Sequence, residues 1–215
     1  MTTPETTPKV GTTEDPRVVR SRAIILAAAH EHFVTHGYVG ANVDLLAAEA
    51  GVSKRTVYNV FGDKETLFRA VVERAVGIAE RFSRELAEDF GADAGPGTLE
   101  DIAVRLARSV LSPRVVPLRR LLIGESRRFP ELAREYYDRA PGLVMRTLAG
   151  HLAGLPGLAV DDPDTAAEHF AFLVLGAPLD RALFDPGTDG VGAPDDLDGR
   201  ARTGVAAFIR AYARR

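Results

Sequence analysis

Between residues 42 and 64 the apolar positions fall into two short helical stripes separated by a glycine. Val43, Leu46, Ala47 and Ala50 recur at helical spacing, which turns one face of the first stripe toward a core. Asn42 is a good N-cap for it, and Gly51 stands where a C-terminal cap needs positive φ, a conformation glycine reaches without a Cβ penalty. Val52 then drops into the same core. Ser53 caps a second helix that runs to Phe61 and points Val57, Val60 and Phe61 inward. Gly62 and Asp63 break the chain again, and Asp63 caps a helix that opens with Lys64 and is predicted over 64–90.

Beyond that point the pattern stays helical, punctuated by Gly and Pro. The run GADAGPG at 91–97 is the expected boundary between two functional regions. Helices are predicted over 98–111, over 114–129 with Pro117 in the first turn, and over 130–152 with an interruption near Pro141. Asp164 is the expected cap of a helix over 164–184, and a Gly, Pro and Asp stretch precedes a last helix over 197–214. No strand signal, internal repeat or sustained heptad stands out, so the predicted class is all-α.

The outward face of the second short helix carries chemistry. Lys54, Arg55, Thr56, Tyr58 and Asn59 are left toward solvent or the flanks. A helix fits the major groove of duplex DNA, where Arg or Lys donates to guanine, Asn pairs with adenine and Thr touches the thymine methyl. Tyr58, Lys64 and the backbone N–H groups at the helix starts suit phosphate oxygens, which set register without reading sequence. Spacing alone also fits a solvated helix pair with no partner.

A resemblance narrows the choice. Phe33, Gly37, Tyr38, Val43, Asp44, Ala47, Ala50, Gly51, Val52, Ser53, Lys54, Thr56, Tyr58, Phe61, Lys64, Glu65 and Leu67 stand in the register of the N-terminal domain of the tetracycline-repressor (TetR) family, which the stretch 25–67 resembles. The resemblance implies a three-helix, helix-turn-helix DNA-binding domain joined by a long helix to a C-terminal helical domain for ligand binding and dimerisation. It further implies a homodimer on a palindromic operator in double-stranded DNA, repressing until a small-molecule inducer binds. Family members contact DNA at the positions matching Asn42, Ser53, Lys54, Arg55, Thr56, Tyr58, Asn59 and Lys64. Four positions depart from the pattern: Asn42 replaces a common Thr, Arg55 a frequent Gly, Val60 a His or Tyr, and Leu45 a polar residue.

The stretch 119–138 resembles a regulatory segment of one branch of the family. By analogy Leu122, Glu125, Phe129, Tyr137, Met145 and Phe172 are candidate inducer contacts, although each also suits plain core. The dimer candidates lie on the last two helices: Phe170, Leu173, Val174 and Ala177 on one, Leu197, Ala201, Val205, Phe208 and Tyr212 on the other. Paired about a two-fold axis they would form a four-helix bundle; the alternative is that each stripe packs inside its own subunit. A dimer would engage half-sites about 34 to 36 Å apart, or a multiple of one helical turn.

Composition refines this picture. The chain has 215 residues, 46% of them hydrophobic, enough to bury a core. It has no cysteine, which excludes disulfides and thiolate metal sites and makes the cytosol the expected compartment. No membrane span or signal peptide is predicted, and the Thr/Pro-rich stretch 1–16 is expected to be a disordered tail ahead of a reader over 17–64 and a regulatory region over 65–215. Net charge is −3, yet within 16–64 the cations Arg17, Arg20, Arg22, Lys54, Arg55 and Lys64 outnumber Glu31, Asp44, Glu49 and Asp63. His32 and His36 have the i, i+4 spacing of metal ligands, but His32 falls on the apolar stripe of Ile25, Ala29 and Phe33, where a core histidine is the better reading. No cofactor or metal is expected. Nor does any nucleophile elbow, phosphate loop or acid–base constellation support a helical enzyme, and a protein-binding adaptor would lack salt-dependent affinity for DNA.

Overall fold

The computed structural model describes residues 16–91, 94–184 and 194–214. The helices are α1 (Pro16–Gly40), α2 (Val43–Glu49), α3 (Lys54–Phe61), α4 (Lys64–Asp89), α5 (Pro96–Val110), α6 (Val115–Glu125), α7 (Pro130–Arg139), α8 (Pro141–Leu152), α9 (Pro163–Phe184) and α10 (Pro194–Tyr212). An antiparallel bridge between Leu158 and Ala213 ties the end of α10 to the turn before α9. The expected tail 1–16 lies outside the described residues except for Pro16, which opens α1.

Two buried clusters organise the chain. The first gathers Ile25, Ala29 and Phe33 of α1, Leu46 and Ala47 of α2, Val57 and Phe61 of α3, and Leu67, Phe68, Val71 and Val72 of α4. The second is built from α5, α8, α9 and α10 around Ile102, Leu148, Phe170 and Phe208, with Leu86 from the far end of α4. One unbroken helix, α4, therefore enters both clusters. Arg139 of α7 braces it from outside, donating to Glu73 and Glu80 at 2.7 and 2.9 Å.

Several local expectations shift. The interruption near Pro141 is a complete break at Ala140 (φ −113°, ψ −92°), so α7 and α8 are separate helices. The helix predicted over 114–129 ends at Glu125, and Pro117 does lie in its first turn. Asp164 is not the cap of α9: the Asp162 carboxylate accepts the Thr165 N–H at 3.1 Å and its hydroxyl at 2.6 Å. Pro178 sits inside α9, and the carbonyls of Ala182 and Leu183, left without helical partners at its end, accept from the Arg120 guanidinium.

The expected dimer residues need a larger correction. Phe170, Val174, Leu197, Ala201, Val205 and Phe208 are buried within their own subunit, and Phe170 meets Phe208 edge to face at 5.4 Å. Their stripes face each other and α5 rather than a partner. Tyr212 is half-buried, with its hydroxyl 2.7 Å from His169 Nδ1. Only Leu173 and Ala177 of that set are exposed, and Phe184 nearby is 88% exposed.

Candidate nucleic-acid interface and regulatory cavity

Side-chain caps build the helix pair. Asn42 Oδ1 accepts the Asp44 N–H at 2.7 Å and starts α2; Gly51, at φ 65°, ends it. Ser53 Oγ accepts the Thr56 N–H at 3.0 Å and shares a 2.8 Å hydrogen bond with the Thr56 hydroxyl. Asp63 closes the unit by accepting the Thr66 N–H at 2.7 Å, and that hydrogen bond holds its carboxyl below the usual range. Each cap satisfies a donor that the helix start would otherwise leave bare.

With Val57 and Phe61 locked inward, Lys54, Arg55, Tyr58 and Asn59 of α3 are exposed and Thr56 is half-buried. Lys54 Nζ meets Asp44 Oδ2 at 2.9 Å, a contact that raises the lysine pKa and ties the start of α3 to α2. Arg22 of α1 lies over the Phe61 ring at 4.8 Å, a cation–π contact between α1 and α3. Leu45 is exposed on α2, and Val60 is half-buried against the first cluster.

Lys64 is turned inward rather than fully outward. Its ammonium donates to the carbonyls of Ala41 at 2.6 Å and Val39 at 3.3 Å and lies 5.0 Å from the Tyr38 ring centroid. Burial lowers its pKa. It staples the α1–α2 turn to α4, whatever else its remaining donor touches. His32, anticipated as a core residue, is indeed 2% exposed, and both ring nitrogens bond to α2 and its cap. Its polar partners were not foreseen, because they come from residues distant in sequence.

A cavity of about 530 Å³ opens between α4, α5, α6, α7, α8 and α9. Tyr137, Met145 and Phe172 line it, with Phe82, Tyr136 and Leu179. Burial pushes the Tyr136 phenol up, so it remains a neutral hydrogen-bonding group. The charged lining is mixed: Arg119 and Arg146 against Asp164, Glu168 and Asp180. Leu122, Glu125 and Phe129 do not line it. Leu122 and Phe129 are buried in the first cluster, where Phe129 meets Tyr38 edge to face at 4.7 Å, while Glu125 pairs with Arg128 at 3.3 Å. The start of α6 reaches the cavity through Val115 and Arg119, but its later turns and the turn after it pack into the first cluster against α1 and α4, which carries these three residues away. Among the described residues no helix is long and apolar enough to cross a membrane.

A capped, glycine-hinged helix pair with an exposed cationic face, joined by one helix to a cavity-bearing bundle, defines a helix-turn-helix transcriptional regulator. Residues 25–71 match the model described as bacterial regulatory proteins of the tetR family, and residues 97–214 match the C-terminal domain of AefR-like transcriptional repressors. The chain belongs to the TetR family of DNA-binding transcriptional regulators and is not an enzyme. It is 40% identical over 60 residues to the transcriptional repressor SCO4008 of Streptomyces coelicolor, covering 28% of this chain and only 30% of that one. A TetR-family regulator from Mesorhizobium loti shares its structure with a TM-score of 0.77 and 30% identity, covering 93% of this chain and 100% of that one. FrrA, a flavonoid-responsive regulator, is similar with a TM-score of 0.64 and 27% identity over 92% of this chain and 99% of its own.

Proposed function

We propose that the protein acts in the cytoplasm as a homodimeric repressor that binds a palindromic operator and is released by a small-molecule inducer. The observation that carries this reading is α4, whose first turns hold the recognition pair and whose later turns wall the cavity with Ala75, Ile78 and Phe82. The reader extends over 17–64, with Asn42, Ser53, Lys54, Arg55, Thr56, Tyr58 and Asn59 toward DNA and Lys64 supporting the turn behind them. The regulatory region follows over 65–215. The exposed strip of Leu173, Ala177 and Phe184 offers a partner an apolar surface.

The inducer suited to Tyr137, Met145 and Phe172 is mostly apolar, with a few polar groups facing Tyr136 and Arg119. The flavonoid response of FrrA supports a ligand of that general character. A ligand shifts occupancy of the operator only if it binds the DNA-competent and released conformations with different affinity.

Selection of fragments from random DNA with the full chain tests this reading, and titration at two salt concentrations separates phosphate from base contacts. Arg55→Ala is expected to cost about 1 to 3 kcal/mol and to relax preference at one base position, as loss of a bidentate guanine contact does. Equal weakening on every operator variant would reassign Arg55 to the backbone. Recovery of no enriched fragment would sink the proposal itself.

A further inference from the structure

His32 joins the two ends of α2 to α1. One nitrogen, Nε2, lies 3.1 Å from the Asn42 backbone N–H, immediately before α2; the other, Nδ1, lies 2.9 and 3.1 Å from the Glu49 carboxylate oxygens, on its last residue. An N–H can only donate, so Nε2 must be the acceptor and the ring proton must sit on Nδ1, where it donates to Glu49. The ring is 2% exposed, which leaves little water to replace a lost partner. The Val52 N–H donates to the Ala47 carbonyl at 2.9 Å and Lys54 meets Asp44 at 2.9 Å, so a change in the tilt of α2 reaches the start of the recognition helix.

We propose that His32 is a positioning residue for DNA binding: as the neutral Nδ1–H tautomer it clasps both ends of α2, and proton uptake releases the Asn42 end. A proton on Nε2 would oppose the Asn42 N–H donor to donor, while the imidazolium would hold Glu49 more tightly. The two ends of α2 therefore respond in opposite senses, and the helix pivots about its Glu49 end. The titratable groups around the ring are His36 on α1, whose ring centroid is 4.5 Å away, Glu49 on α2, and Lys64 of α4, bonded to the Ala41 carbonyl beside Asn42. The inference rests on the DNA-binding reading and adds a proton dependence to it.

The test uses the full chain and an operator fragment selected from random DNA. The nitrogen NMR spectrum of His32 at about pH 8 is expected to show Nδ1 protonated and Nε2 bare. Affinity should fall roughly tenfold under whatever acidic condition the same spectrum shows Nε2 protonated, a loss comparable to one buried hydrogen bond. His32→Gln places an amide oxygen near the Nε2 position, so it should bind close to normally at the upper pH and lose this step. His32→Leu, with neither bond, should bind weakly throughout. An Nε2–H tautomer, or the same pH step in His32→Gln, overturns the proposal, and both readings survive a failure of His32→Leu to fold. Enrichment of no fragment overturns the DNA-binding reading as well, whereas enrichment with a pH profile independent of His32 overturns this inference alone.

Discussion

Gly204→Ala will lower the midpoint of thermal unfolding, although alanine is the better helix former by about 1 kcal/mol. At Gly204 on α10 an added Cβ would stand 2.4 Å from the Leu173 carbonyl oxygen, 2.8 Å from its carbon and 3.1 Å from the Val174 nitrogen. These are backbone atoms of α9, so no side chain can swing aside. The helices must separate, which opens the contact between Phe170 and Phe208 and disturbs the α9 wall of the cavity. The expected net cost is about 1 to 2 kcal/mol, or roughly 2 to 8 °C for a chain of this size. Gly199→Ala on the same helix, where an added Cβ meets nothing within 4 Å, is the control and should leave the midpoint unchanged or higher. Both are to be measured at one protein concentration, because association shifts the midpoint. Equal midpoints for the two variants would contradict the close approach.

Phe129→Ala is expected to cost about 3 to 5 kcal/mol, the range for truncating a buried phenylalanine. Its ring meets Tyr38 at 4.7 Å and Phe68 at 5.4 Å, so one side chain from the α6–α7 turn packs against both α1 and α4. Leu118, Leu122 and Leu132 reinforce the same seam. Removing the ring should therefore loosen the reader from the regulatory bundle, and denaturant unfolding followed at the two regions should no longer coincide. Any small molecule that thermal-shift screening finds to bind the cavity should still bind, because Phe129 does not reach it. Unchanged stability with weakened binding of that molecule would restore Phe129 to the ligand site.

The recognition pair was legible because its signals are local. A cap and the N–H it accepts lie two or three residues apart, as in Asn42 with Asp44, Ser53 with Thr56 and Asp63 with Thr66, and a left-handed glycine acts on its own φ. The same logic failed at α9, where Asp162 and Asp164 are both plausible caps and only the path of the preceding turn selects Asp162. Lys64 looked like a cation for phosphate, yet the carbonyls of Val39 and Ala41, more than twenty residues away, draw it inward. His32 was legible as core from its stripe, while its bonds to Asn42 and Glu49 depend on how α1 and α2 cross.

The sequence by itself determined the helical class, the glycine-hinged pair, the outward set on α3 and the family, since periodicity, capping and motif register are properties of neighbouring residues. Tertiary structure alone decided which apolar stripe meets which. It turned Phe170, Val174, Leu197, Ala201, Val205 and Phe208 into the interior of one subunit, moved Leu122 and Phe129 from a supposed ligand site to the seam behind the reader, and left Tyr137, Met145 and Phe172 around the cavity. An apolar face records that it must be covered, but the hydrophobic effect has no direction, so the covering partner is chosen only when the helices pack.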